Sequence, residues 1–346
     1  MRKYTFYGFL FLTFILPQVQ YSQTFKSVSI DTLLADKISI RAIVPDGERL
    51  WYAADEGRYG SVSLKSKVKS ESKIAKDSMS IEFRSIAQTK ESVFVLNVGN
   101  PALLYKISKK DNSVRLVYQE KHEKVFYDSM QFWNEEEGIA VGDPISDTFS
   151  VITTKDGGNS WQKLPSDVLP KLVPGEAAFA ASNTNIVVKG NKTWIVSGGK
   201  KARVFYSADK GKSWNVVSTP IIQGDEMTGI FTADFYDENN GFIAGGNYEL
   251  PLLNSKNKAI TTDGGKTWKL TAENAGFGYA SCVQYVPKSQ AKQLVCVGSS
   301  GIQYSSDSGK TWMQLSAIND LYTIRFLDKN TAVAAGRNKI IRIVFR

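Results

Sequence analysis

The chain holds a single histidine, His122, and two cysteines, Cys282 and Cys296. One imidazole leaves almost no material for a Ser–His triad or a His-rich metal centre. His122 sits in the charged linker Glu120-Lys121-His122-Glu123-Lys124 and reads as a solvated side chain. No glycine-rich loop follows a strand pattern and opens a helix, and no stretch has a convincing helical period, which excludes a nucleotide-cofactor fold. No metal and no cofactor is expected. After Leu16 no apolar run approaches membrane-spanning length.

The one long apolar run, Tyr4 to Leu16, follows Arg2 and Lys3 and gives way to Pro17 and a polar stretch ending at Gln23. A basic start and a short apolar core read as a secretory signal peptide over 1–23, too short to span a bilayer. No cysteine lies near the cleavage region, which argues against a lipoprotein. The mature chain, 24–346, is expected to be exported to the periplasm or the medium, with no transmembrane segment, as a monomer. The formal charge of the full sequence, +9, is spread along the chain apart from Lys65 to Lys76 and Lys106 to Lys110. That excess suits an anionic surface or partner, whereas export argues against nucleic acid.

What is present in quantity is one stretch written four times. Residues 154–161, 207–214, 261–268 and 305–312 all fit S/T-x-D-x-G-x-S/T-W without a gap. This is the Asp-box, or BNR, repeat. Its carboxylates (Asp156, Asp209, Asp263 and Asp307) are expected to accept backbone N–H groups in a tight turn. Its glycine takes a conformation closed to other residues, and its indole (Trp161, Trp214, Trp268 or Trp312) plugs the apolar space beside the next strand. Apolar or alternating runs flank each copy, so the box is a strand–turn–strand corner. A catalytic or metal site is built once and a turn staple once per repeat, so these Asp residues are read as structural.

A second repeated signature is a short apolar strand ending in glycine, as in Ile139-Ala140-Val141-Gly142, Phe242-Ile243-Ala244-Gly245 and Leu294-Val295-Cys296-Val297-Gly298. Seven such copies across the mature chain give units of roughly 46 residues, the size of a four-stranded propeller blade. The fold class expected is therefore all-β, a seven-bladed β-propeller of four-stranded blades in one domain. The last unit is one strand short, and Phe25 to Ile30 is expected to complete it and close the ring. Cys282 and Cys296 flank the turn Pro287 to Lys292 almost symmetrically. A cross-strand disulfide and a pair of small buried thiols are both compatible with that placement.

In a four-stranded blade the boxes lie on one face, and the loops between second and third strands lie on the other with the crossovers. Departures from the repeat gather on that other face: Asp143 after an apolar-glycine strand, Glu176 after a proline-rich crossover, then Ser182 and Asn183, Arg203, Asp225, and Tyr248 in the insertion Asn247 to Pro251. These seven are the candidate ligand or partner contacts. Three arginines on inner strands, Arg41, Arg84 and Arg325, raise the alternative of an anion clamp of the sialidase kind. Against it, the Arg-Ile-Pro entry motif of sialidases is absent, and Arg325 reads as offset by one residue from the other two.

With the boxes and glycine-ended strands in hand, residues 30 to 346 resemble the photosystem II stability/assembly-factor-like propellers. Pro174 to Asn183, Gly142-Asp143-Pro144 and Gly229-Ile230-Phe231 resemble the non-photosynthetic bacterial branch. The resemblance implies an exported binding or assembly scaffold with an envelope protein or a glycan as partner. It transfers no substrate. The alternative is a carbohydrate-active enzyme, sialidase-like or another glycoside hydrolase or lyase, using Asp143, Glu176 and Asp225.

Overall fold

Apolar strands broken by Gly and Asp turns leave little room for helix. The computed structural model describes residues 1, 24–75 and 79–346. Residues 2–23, which carry the expected leader, lie outside the described residues. Among those described, the one helical element is a three-residue 3-10 turn, Ser166–Val168. No helix among them is long and apolar enough to cross a membrane.

The strands form six sheets arranged as a propeller, not the expected seven blades. Four sheets have four antiparallel strands and two have six. The discrepancy has a local cause at the termini. Val28–Asp46 runs for 19 residues and Thr331–Phe345 for 15, each continuing where the repeat predicts a break. Val28–Asp46 pairs with Thr331–Phe345 through Val28↔Phe345 and Ile30↔Ile343, and with Arg49–Ala54 through Ile43↔Tyr52. The first and last repeats therefore share one six-stranded sheet. The pairing of the two chain ends closes the ring, as the spare N-terminal strand implied. The second six-stranded sheet adds Glu176–Ala177 and Gly198–Gly199 to the strands running from Thr228–Phe235 to Lys269–Leu270.

The four boxes are built alike. In the third copy Thr261 Oγ1 donates to Asp263 Oδ1 at 2.7 Å and accepts from Gly265 N at 2.9 Å. Thr267 closes the turn, its N–H on Asp263 Oδ1 at 3.0 Å and its hydroxyl on Oδ2 at 2.6 Å. Burial opposes ionisation of Asp263, but these donors outweigh it and hold the carboxyl at about 2. Each box also welds neighbouring blades. The Trp312 ring meets Phe242 and Phe277 edge-on, and Trp161 meets Phe94 of the preceding sheet. At Gly309, with φ +84°, an added Cβ would sit 2.4 Å from the Phe242 ring. That position needs glycine for both backbone and space. Asp111 keeps the turn without the indole, taking both the N–H and the hydroxyl of Ser113.

Cys282 and Cys296 are free and buried. A bulge after Ala280 shifts the register, so Cys282 faces Val297 and Cys296 faces Val283. The two thiols consequently enter apolar clusters on opposite sides of their sheet. A disulfide is ruled out by that one-residue slip.

A carboxyl depressed by its native contacts stabilises the fold above the unfolded value near 4 and loses that contribution as pH falls through about 2. Asp263→Asn is expected to cost about 1–2 kcal/mol at pH 7. The gap to the unaltered chain should narrow toward zero by pH 2 in denaturant titrations.

Candidate functional site

Backbone bonds tie each box to the turn between the first two strands of its own blade. Gly157 N donates to Glu136 O, Lys210 N to Asn191 O, Gly264 N to Asn239 O and Ser308 N to Lys292 O. The boxes thus share the face where the inner strands end. The opposite mouth is formed by the beginnings of the inner strands and the longer loops.

At that mouth the inner strands share a feature with no trace in the residue spacing. Registers slip between Ile40 and Ala42, Phe83 and Ser85, Ile230 and Thr232, Ala280 and Cys282, and Leu321 and Thr323. A sixth slip, between Val141 and Gly142, sets Asp128 aside in the same way. A bulge re-aims the extra side chain out of the ladder. The residues so released are Arg41, Arg84, Asp128, Phe231, Ser281 and Tyr322. Arg325 lies three residues beyond Tyr322 in the same strand, not one. It lines the chamber on the box face instead, so the three arginines do not make one clamp.

Ser182 and Asn183 belong to a segment that crosses the central channel. Asn183 Oδ1 accepts Met130 N at 3.0 Å and its Nδ2 donates to Ile86 O at 2.8 Å. Ser182 Oγ donates to Ser281 O at 2.7 Å, and Ser182 O accepts Thr323 Oγ1 at 3.2 Å. Thr184 reaches Thr232 through its hydroxyl at 2.8 Å, and Arg41 Nη1 reaches Ala181 O at 3.3 Å. One short segment thereby bonds to six other inner strands. Asn183 sits at φ +59°, a conformation that asparagine tolerates better than most residues. Both side chains are buried and spend their polar groups inside the protein.

Glu176 and Arg203 also turn inward. Glu176 is 1% exposed, and its Oε1 accepts Arg203 Nε at 2.9 Å and Ser197 Oγ at 2.6 Å. Its Oε2 takes Val173 N and a second Arg203 nitrogen, while Arg203 Nη2 also donates to Lys171 O. This bidentate pair fastens the proline-rich crossover to the body. Asp225 is exposed and caps its own turn through Thr228. Asp143 lies beside the fully buried Asp128 and accepts Ala178 N at 2.8 Å. Burial pushes Asp143 up to about 7 against that hydrogen bond. Burial, then the charge of Asp143, raises Asp128 well above the carboxylate range, with Arg84 opposing. Among the described residues no group of three or more His, Cys, Asp or Glu is placed to hold a metal.

Tyr248 meets an open cavity at this mouth. That cavity, about 320 Å³, is lined by Arg41, Tyr248, Tyr279, Ser281, Tyr322 and Arg337 among others. The Arg41 guanidinium lies 4.2 Å over the Tyr322 ring. Tyr248 meets Tyr279 edge-on at 5.2 Å, and Phe231 stacks on Phe179 at 4.0 Å behind them. Beside this aromatic wall the insertion exposes Tyr248 (48%) and Leu250 (59%), and Leu252 just after it is 80% exposed. The loop is nonetheless held firmly. Asn247 Oδ1 accepts Glu249 N and Leu250 N, and Pro251 O accepts Tyr279 N and Ser299 Oγ.

Known proteins resemble the chain mainly in fold. The BNR/Asp-box repeat family model matches residues 259–270, the third box. No curated protein sequence matches the chain. Among solved structures, "YCF48 bound to D1 peptide" aligns with TM-score 0.67 at 12% identity, covering 94% of this chain and 99% of the other. The RRP9 WD40 repeats align at 0.66 and 13%, covering 93% and 100%. The GH74 xyloglucanase from Xanthomonas campestris aligns at 0.65 and 11%, covering 90% of this chain and 53% of that one. A peptide-bound protein, a WD40 protein and a glycosidase at equal distance establish a BNR-type β-propeller and no single activity.

Two outcomes follow from this geometry. Asn183→Ala leaves Met130 N and Ile86 O unsatisfied in the interior and should lower stability by about 2–4 kcal/mol in denaturant titration. For Asp143 the raised value means that folding costs more as pH rises from about 4 to about 7. Asp143→Asn, which keeps an acceptor for Ala178, should melt above the unaltered chain at pH 8, and the difference should close by pH 4.

Proposed function

We propose that the chain is an exported binding or assembly module of the photosystem II assembly-factor-like kind, from its non-photosynthetic branch. It holds an extended segment of an envelope protein at the mouth opposite the Asp boxes. The carrying observation is the insertion beside the Arg41–Tyr322 cavity. Large apolar side chains exposed together are rare on a protein with no partner. Here they stand on a loop whose backbone is already hydrogen-bonded, so little ordering is needed when a partner seats. Tyrosine and arginine next to them are the residue types that carry most binding energy at interfaces. A solved propeller of similar fold holds a peptide, which agrees with this reading.

The carbohydrate-active reading rests on Asp143, a carboxyl that keeps a proton near neutral pH and so has the property of a general acid. Glycosidic cleavage needs two carboxyls facing one sugar-sized cavity. The cavity at this mouth is lined by Asp320, and not by Asp143, Glu176 or Asp225. We rank binding above catalysis for that reason.

Peptide arrays tiling bacterial envelope proteins, followed by fluorescence anisotropy on the hits, test the binding reading. At least one peptide should bind, and Leu252→Asp with Tyr248→Ala should weaken it by roughly tenfold or more. Peptides bound equally by that double variant, or no peptide bound at all, would remove the proposal. Hydrolysis in a glycan panel that disappears with Asp143→Asn would put the enzyme in its place.

A further inference from the structure

The channel has a second chamber, on the box face and across the plug from the partner mouth. It encloses about 570 Å³, a volume ordinary for small-molecule sites. Its walls are the ends of inner strands: Lys189 ends Ile186–Lys189, Phe235 ends Thr228–Phe235, and Tyr285 ends Ala280–Tyr285. Its floor is the plug itself, reached by Arg325.

Charge in this chamber is unbalanced. Arg325, Lys189 and Lys288 line it against a single carboxylate, Asp234. Asp234 is already occupied, since Oδ1 accepts Phe235 N at 3.0 Å and Oδ2 accepts Tyr285 N at 2.7 Å. Arg325 meets only uncharged partners: Nη1 donates to Ile324 O at 2.7 Å and Thr323 Oγ1 at 2.9 Å, and Nη2 to Ser182 O at 3.2 Å. Among the described residues its Nε–H has no acceptor, and neither Lys189 nor Lys288 forms an ion pair. Elsewhere the lysines and arginines of this fold repeatedly find carboxylates, as in Lys67–Asp31, Lys192–Glu238 and Arg203–Glu176. Lys189 and Arg325 both feel the charge of Asp234, and three cations against that one lining carboxylate leave net positive potential in the funnel. The amide of Gln284 on the same wall supplies a donor and an acceptor suited to hydroxyl groups.

We propose that this chamber binds a small anion, a molecule of about monosaccharide size bearing a carboxylate or a phosphate. The anionic group sits among Arg325, Lys189 and Lys288, with its hydroxylated body toward Gln284. The guanidinium rests on the plug and is oriented before the ligand arrives, whereas the two lysines at the rim supply attraction. The site is independent of the partner mouth, so either can fail without the other.

The test is calorimetric titration of the full chain with glucuronate, with inorganic phosphate and with neutral glucose, each in low and high salt. Saturable binding of glucuronate or phosphate is expected, with glucose not binding and affinity falling as salt rises. Which of the two anions binds more tightly separates the carboxylate from the phosphate source. Arg325→Gln risks the plug, so the decisive variant is Lys189→Ala/Lys288→Ala, which should keep the unliganded melting temperature and bind roughly tenfold more weakly. The Leu252→Asp variant should bind the anion unchanged. Glucose binding as tightly as glucuronate, no saturable binding of either anion, or undiminished binding by the double-lysine variant would each overturn the site.

Discussion

The inner strand of every sheet in a propeller has one edge without a neighbouring strand, facing the channel axis. Those N–H and C=O groups need partners once the sheets close into a ring and water is largely excluded. Here the segment Ala181 to Asn185 meets part of that constraint, and side chains of neighbouring inner strands meet more of it, as Gln131 does for Val188 N and Asp234 for Tyr285 N. Asn183 bridges Ile86 and Met130, Ser182 bridges Ser281 and Thr323, and Thr184 turns to Thr232. A fixed axis of this kind orients the sheets around it. It also divides the channel into two chambers, and the chemistry of the molecule is split the same way.

On one side of the plug the bulges decide which side chains line the mouth. Each bulge takes one residue out of its ladder and points it at the mouth, and the residues so placed include Arg41, Phe231 and Tyr322. Together with Tyr248 and Tyr279 they make an aromatic wall with a guanidinium laid on it. The proline-rich crossover frames the mouth and is pinned by the Glu176–Arg203 pair, a buried charge whose partner is indispensable once it is desolvated. On the other side, strand ends rather than bulges line the chamber, and cations outnumber carboxylates.

The boxes stand apart from both chambers. Their carboxylates are saturated by hydroxyl and backbone donors, and Trp161 and Trp312 pack across to aromatic side chains of the sheet before. Repetition suits this role, because every junction between blades needs the same weld. A site for a ligand needs the opposite, a set of residues that breaks the repeat.

That difference sets what could be read from the residues alone. The all-β class, the propeller, the Asp-box turns and the closure by the N-terminal strand are local patterns with short-range causes, and they were legible. The loop carrying Tyr248 was legible as a departure from the repeat, because an insertion interrupts a regular spacing. The number of blades was not. Whether Val28–Asp46 and Thr331–Phe345 break or run on depends on how the two ends of the chain pair across the ring. Nor could spacing reveal that Glu176 faces Arg203 inside the protein, or that Ser182 and Asn183 fill the channel. Polar loop residues look alike in sequence whether they meet solvent, a ligand or an unpaired strand edge. The one-residue bulge after Ala280 that sends Cys282 and Cys296 to opposite faces is of the same order: a register is chosen by the packing of whole sheets. The sequence by itself determined the repeated unit and its turn chemistry, and tertiary structure decided which non-repeating side chains look outward, because that choice belongs to contacts between distant strands.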